Sequence, residues 1–199
     1  MIRAAPSTGT RLPLRIRTSA SNAIAPYVKK LDVTPPPGYG PLAILDRKAH
    51  ADRGVVPHAA RFAGRMHAIY LSLPEFVAAS KTCPVVLAEA GRGHWQPMMV
   101  VGLADGQNLC VDESGDWRAD CYQPAYVRRY PFCTLQVTGE EARSVICVDE
   151  AGLTRDTPAL FDSRGEASDA WRDLERLVED MDNATRQTTL FCERLAKLE

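Results

Sequence analysis

Few side chains in this 199-residue chain have the types and spacing for chemistry. The histidines are His50, His58, His67 and His94, and none pairs with another ligand at i, i+4 on an expected helix. His94 has the most suggestive setting, in the Gly-rich loop "GRGHWQP" beside Trp95 and between two apolar runs. A cysteine nucleophile needs a base or a lowered pKa, and Cys83 or Cys110 with His94 would supply such a pair. The other histidine reading is a plain loop residue. Carboxylates come doubled, as Asp112-Glu113 and Asp149-Glu150, at the ends of two expected strands. Four gathered carboxylates would suit a hard cation. Alternation along a strand, however, sends neighbours to opposite faces, and acids near turns tend to bond local backbone. There is no P-loop, no G-x-G-x-x-G, no G-x-S-x-G and no H-E-x-x-H. No catalytic residue, metal or cofactor is therefore expected.

The second chemical feature is "QPAYVRRYPF", residues 123–132. Pro124 suits the first turn of a short helix and Pro131 its end. Arg128 and Arg129 are adjacent, so one turn of helix cannot aim both the same way. One is expected to face inward and pair with a carboxylate such as Asp112 or Asp149, because a buried guanidinium is costly without a partner. The other faces solvent or an anionic ligand. Tyr126 and Tyr130, four apart, share a face and can stack on guanidinium planes. The candidate binding residues are accordingly Tyr126, Arg128, Arg129, Tyr130, His94, Trp95, Trp117 and Asp112.

These residues need elements to hold them. "YLSLPEFVAASKTCP" predicts a short helix, with Pro74 and Glu75 in its first turn and Pro84 beyond its end. "PVVLAEA" (84–90) predicts a strand. "PMMVVGLAD" (97–105) and "NLCVDES" (108–114) predict a hairpin about Asp105-Gly106-Gln107. "CTLQVT" (133–138) and "RSVICVDE" (143–150) predict a second hairpin around "GEEA". Connections this short cannot hold crossover helices, so the sheet is antiparallel. "LCVDESG" (109–115) and "ICVDEAG" (146–152) nearly repeat, and are read as convergent strand-exit chemistry ahead of a duplicated hairpin. From Ser168 the positions Trp171, Leu174, Val178, Met181, Thr185, Thr188, Cys192 and Leu195 alternate at steps of three and four. They predict a long amphipathic helix packed on the sheet. The fold class is α+β: an antiparallel β-sheet built from hairpins, covered by the C-terminal helix and short helices.

Composition narrows the functional classes. Net charge is −1 and no apolar run reaches the roughly 20 residues of a membrane-spanning helix, so neither nucleic acid nor a membrane span is expected. Six cysteines without a C-x-x-C pair read as reduced, buried thiols of a cytoplasmic protein. Residues 1–31 carry six basic side chains and no acid among Pro, Ser and Thr. This is the composition of a flexible arm, and it also has the look of a transit peptide; no apolar core of a secretory signal is present. "TPPPGYGP" (34–41) breaks regular structure. The expected organisation is a flexible basic arm over 1–40 and one domain over 41–199.

The ordered series "LPEF", "CPVVLAE", "PMMVVGLADGQNLCVDESGDW", "YQPAYVRRYPF", "ICVDE" and "LFDSRGE", followed by a long helix with "TTLFCERL", resembles the SapC family. These are bacterial proteins named for a component of surface-layer (S-layer) systems. "AYVRRYPF" and "GLADGQNLCVDESGDW" are the specific parts, and the likeness covers roughly Pro41 to Leu198. His50 falls where the family tends to place a histidine. The resemblance implies an accessory protein linked to S-layer or cell-surface protein biogenesis, export or modification, with no catalytic mechanism to carry over. It also implies a further strand-and-helix segment after the final helix, which this sequence lacks. The expected partner is a protein or peptide, in the cytoplasm or at the periphery of the envelope, with room for homo-oligomers. The competing class is an enzyme acting on a peptide or small molecule through a Cys–His or carboxylate site.

Overall fold

In the computed structural model, residues 31–91, 93–137 and 143–198 are described. Most of the basic arm expected at the N-terminus, and the "GEEA" turn, lie outside them. The chain divides into two compact units. Within the described residues, one gathers His58–Tyr130 with residues 176–198; the other gathers residues 31–57 with Pro131–Glu175.

The first unit is built on β3 (Ala68–Tyr70), β4 (Val85–Gly91) and β5 (His94–Val100), in the order β3-β5-β4. All pairings are antiparallel, with Ile69 opposite Met99 and Val86 opposite Met98. Between β3 and β4 a 3-10 turn (Leu73–Glu75) leads into α1 (Phe76–Ala79), as Pro74 and Pro84 predict. The second unit is built on β1 (Leu42–Ile44), β6 (Phe132–Val137) and β7 (Arg143–Asp149), in the order β1-β7-β6. The β6–β7 hairpin has the expected partners, with Cys133 opposite Cys147. A small ladder joins β2 (Gly54–Val55) to β8 (Leu153–Thr154). Within "TPPPGYGP" the chain turns at Pro36–Tyr39, Gly38 takes φ +82°, and buried Tyr39 donates its hydroxyl to the Phe132 carbonyl at 3.0 Å.

α2 (Ala125–Arg128) is the helical turn predicted between Pro124 and Pro131. α3 (Asp169–Leu195) is the long helix predicted from Ser168, whose hydroxyl accepts the Trp171 amide at 3.2 Å. Its buried positions are Trp171, Val178, Met181, Thr188 and Cys192, the core of the stripe read from the sequence. Trp171 anchors the second unit: its ring meets Phe132 edge-on at 5.0 Å and Phe161 at 4.8 Å. The architecture is thus α+β with antiparallel sheets, a long C-terminal helix and short helices. Among the described residues no helix is long and apolar enough to cross a membrane.

One expected hairpin is replaced. The turn at Ala104–Gln107 forms, with Gly106 at φ +77°, but 108–114 is not a strand. A single rung survives, from the Leu109 amide to the Val101 carbonyl at 2.7 Å. The chain then curls on itself because Asp112 competes for its backbone. Its carboxylate accepts the amides of Gly115 at 3.0 Å and Asp116 at 2.9 Å, closing a loop whose ends bridge at Val111 and Trp117. β5 instead takes β4 as its hairpin partner.

The same loop recurs in the second unit. Asp162 accepts the amides of Arg164 at 2.8 Å and Glu166 at 2.9 Å, and the ends bridge at Phe161 and Ala167. Gly115 and Gly165 both take positive φ, +95° and +84°. Arg118 N to Cys110 O matches Ser168 N to Leu160 O. The correspondence is an unbroken offset of fifty, from "VGLADGQNLCVDESGDW" (101–117) to "AGLTRDTPALFDSRGEA" (151–167). The repeat is therefore real but differs from the "CVDE" echo. In that echo Asp112 sits in an exposed loop, whereas Asp149 is buried at the end of β7, accepting Gly40 N and Ala151 N.

Two predictions follow from this packing. Trp171→Ala should cost about 3–5 kcal/mol, read from urea unfolding, because the Phe132 and Phe161 rings lose their shared neighbour. The carboxyls of Asp112 and Asp162 lie below the ordinary 3.8, Asp112 chiefly through the Ser114 hydroxyl and Asp162 chiefly through the Glu166 amide. A depressed folded pKa gives stability that is complete above the unfolded value and lost as pH falls through the folded one. Protection factors of the Asp116 and Glu166 amides should fall only as pH drops below 3.8, and Asp162→Ala should remove the protection at Arg164 and Glu166 at neutral pH.

Candidate functional site

A dense polar cluster forms where the segment Ser72–Cys83 meets the segment Cys121–Arg129. Ser72-x-x-Glu75 has capping-box spacing, which aims the Glu75 side chain back at its own turn. Glu75 is buried, and one oxygen accepts the Ser72 amide at 2.9 Å and the Ser72 hydroxyl at 2.5 Å. The other accepts the Ala125 amide at 2.7 Å, at the start of α2, and the Tyr122 hydroxyl at 3.1 Å. Four donors thus converge on one carboxylate. Burial, followed by the Glu75 charge, pushes the Tyr122 phenol above its usual value, while Arg128 pulls the other way. The Tyr122 amide donates to Thr82 Oγ1 at 3.1 Å, a second stitch between the segments. The sequence places Glu75 only in the first turn of the short helix. The capping-box spacing was the available signal for more.

α2 separates the two arginines as its geometry requires. Arg129 is buried, with its guanidinium 5.0 Å from the Tyr126 ring centre, and Arg128 is exposed. Tyr126 and Tyr130 are buried and share Phe62, which stacks on Tyr130 at 4.2 Å and 8° and lies 6.3 Å from Tyr126. Asp112 is not the inward arginine's acid, because its carboxylate serves Ser114, Gly115 and Asp116. Phe62, from the 3-10 turn Ala59–Ala63, carried no chemical signal in the sequence.

His94 is exposed at the start of β5, paired with Gly91 across the hairpin. Trp95 is half-buried on the same strand, and Trp117 donates its ring N–H to the Cys121 carbonyl at 3.1 Å. Cys83 and Cys110, the two cysteines considered as partners for His94, lie against each other at 3.8 Å. Cys121 joins them, with all three Sγ atoms within 4.8 Å of one another and no imidazole in the group. Among the described residues this trio is the one group of side chains placed to share a metal ion. His50 is buried in the second unit, its Nδ1 2.8 Å from the Asp46 carbonyl and its Nε2 3.9 Å from the Glu150 carboxylate.

The surface carries one further feature. β4 pairs on one side only among the described residues, and its Val86 and Leu87 are exposed. Beside it Phe76, Val77, Val85 and Phe191 line an apolar groove of about 330 Å³, with the Phe76 and Phe191 rings edge-to-face at 6.3 Å. Leu87 also borders a hollow of about 210 Å³ with Trp95 and Leu195, so the two form one apolar strip. Val77 is 74% exposed, which is high for an aliphatic side chain beside so much apolar surface.

Two substitutions separate framework from surface. Glu75→Gln sets an amide N–H₂ against converging donors and should cost about 3 kcal/mol or more by denaturant unfolding, since hydrogen bonds to a charge contribute about 1.5–3 kcal/mol each. Arg129→Ala should cost about 2 kcal/mol through the lost contact with Tyr126, while Arg128→Ala should melt within about 1 °C of wild type.

No curated protein and no solved structure matches the chain. A family match is found over residues 45–199, and it is to SapC. It takes in the β3-β5-β4 sheet, strands β6 and β7, the glutamate cluster, the cysteine trio and α3, more than three-quarters of the sequence, and begins just after β1. The chain belongs to the SapC family.

Proposed function

We propose that this chain is a non-catalytic accessory protein that binds an extended, apolar stretch of a polypeptide during the biogenesis, export or modification of bacterial cell-surface or S-layer proteins. The observation that carries the reading is the open edge of β4 beside the apolar groove. An edge strand presents unpaired N–H and C=O groups, and an added strand satisfies them while its alternate side chains enter adjacent pockets. Phe76, Val77 and Phe191 supply the apolar wall for such side chains. Natural edge strands of this kind are normally blunted by charge or proline. Here Val86 and Leu87 remain exposed, and Glu89 is the only acid in the strand.

Of the candidate binding residues, Trp95 and His94 belong to this surface through the β4–β5 hairpin, and Arg128, beside the Tyr122 hydroxyl, is exposed where an acidic group on the partner could meet it. Tyr126, Arg129 and Tyr130 pack around Phe62 and belong to the fold. Trp117 and Asp112 hold their own loop. The accessory role is placed in the cytoplasm or at the periphery of the envelope, where a chain awaiting export is still extended. A Cys–His enzyme finds no support in the arrangement of His94, which is exposed at the start of β5 and outside the cysteine trio.

The test is site-specific photocrosslinking from position 86 in the native host, with the captured segment identified by mass spectrometry and then made as a peptide. The expected result is an apolar segment of an exported or surface protein. That peptide should protect the Val85–Gly91 amides from exchange and lose at least tenfold in affinity for a Leu87→Glu variant that melts like wild type. Crosslinks only to unrelated abundant proteins, or equal affinity for Leu87→Glu, would refute the reading.

A further inference from the structure

The cysteine trio lies in the first unit and plays no part in the binding surface just described. We propose that Cys83, Cys110 and Cys121 form a binding site for a thiophilic d10 metal ion, Zn²⁺ first among them, held by three thiolates with a fourth position open to solvent.

The geometry is that of ligands round one ion. Cys83 and Cys110 Sγ are 3.8 Å apart. A disulfide would require about 2.0 Å. Two thiolates bound tetrahedrally at about 2.3 Å from zinc stand about 3.8 Å apart. Cys121 Sγ completes a triangle with no side longer than 4.8 Å. The three come from different parts of the chain: the end of the α1 segment, the start of the 110–118 loop and the turn beyond it. Such convergence is what a site requires, and it is why no C-x-x-C spacing advertised it.

Backbone bonds hold each cysteine without using its sulfur. Cys83 N donates to Ala79 O at 3.0 Å, Cys121 N to Arg118 O at 3.1 Å, and Arg118 N to Cys110 O at 2.8 Å. Cys110 N donates to Asn108 Oδ1 at 2.9 Å, and buried Asn108 is itself fixed by its bond to Ala63 O at 2.9 Å. The thiol positions are therefore set by the surrounding fold. Cys110 is buried, while Cys83 and Cys121 are half-exposed, so the trio opens toward solvent on one side. No histidine or carboxylate completes the set among the described residues, which leaves the fourth position for water or a small ligand. All-sulfur ligation selects zinc or copper(I) over magnesium or calcium.

The repeated architecture supplies a contrast. At the equivalent place in the second loop, fifty residues on, Leu160 stands where Cys110 does and is equally buried. A leucine serves where only filling is needed. The first copy places a sulfur there and brings two more to it. On binding a divalent ion each thiol loses its proton to solvent, so uptake releases three protons and leaves one net negative charge. No electron transfer is involved.

The test uses the full-length reduced chain, stripped of metal and titrated with Zn²⁺ against a chromophoric chelator. Cd²⁺ serves as a second probe, read by its sulfur-to-metal charge-transfer band, and Mg²⁺ as the control. One equivalent of Zn²⁺ should bind, with the Cd²⁺ band appearing in step and the melting temperature rising. Cys83→Ser and Cys121→Ser change half-exposed positions and should fold. Each should lose at least the roughly hundredfold affinity that disturbing even an outer-shell group can cost. Cys147→Ala should bind as wild type does. The proposal is overturned if the reduced chain binds no Zn²⁺, if both serine variants bind like wild type, or if air oxidation consumes two of the six thiols while the reduced form remains metal-free.

Discussion

Glu75 is the constraint on which the first unit depends. A carboxylate is taken out of water in a chain that gains nothing from burying a charge unless donors replace the lost solvent. Ser72, Tyr122 and the first amide of α2 supply them. The consequence reaches beyond one side chain. Ser72 and Glu75 lie before α1, and Ala125 opens α2, so one carboxylate ties two helical turns that are fifty residues apart in sequence. The orientation of α2 then decides which arginine is buried. With Ala125 held by its amide, Tyr126 and Tyr130 reach Phe62, Arg129 covers Tyr126, and Arg128 is left to solvent.

The two units follow one plan with different fillings. Each has a three-stranded antiparallel sheet whose central strand is the second strand of a hairpin, and each hairpin is preceded by a helical turn. Each plan ends in a loop closed by an aspartate that captures its own backbone amides, with a glycine at positive φ to complete the turn. The aspartates and glycines recur because the loop backbone demands them. The residues between are free to differ. Hence the second unit packs Leu160, Phe161 and Trp171 as an aromatic and aliphatic core, while the first gathers sulfur and leaves an apolar strip on its surface.

That strip and the thiol trio differ in what local sequence can reveal. Val86 and Leu87 look like any strand residues. Their exposure follows from β4 being at the edge of its sheet, a property of strand order. The thiols look like core residues, and each sits in an apolar run. Their mutual distance depends on the end of α1, the 110–118 loop and the following turn all being in place.

The sequence by itself determined the elements whose signals are local. α3 was legible because its apolar period and its Ser168 cap lie within one segment. The β6–β7 hairpin, the short helix at Pro74 and the turn between Pro124 and Pro131 were legible for the same reason: proline and alternation act on neighbouring residues. The family could be read because "AYVRRYPF" and "GLADGQNLCVDESGDW" are continuous strings. Tertiary structure decided the rest. It converted the expected strand at 108–114 into a closed loop, since Asp112 offered the backbone stronger local partners than a second strand could. It buried Arg129 in preference to Arg128, made Glu75 a shared acceptor, and brought Cys121 to Cys83 and Cys110. Each of these outcomes depends on groups far apart in the chain, and local propensity carries no information about which distant donor, ring or sulfur will arrive.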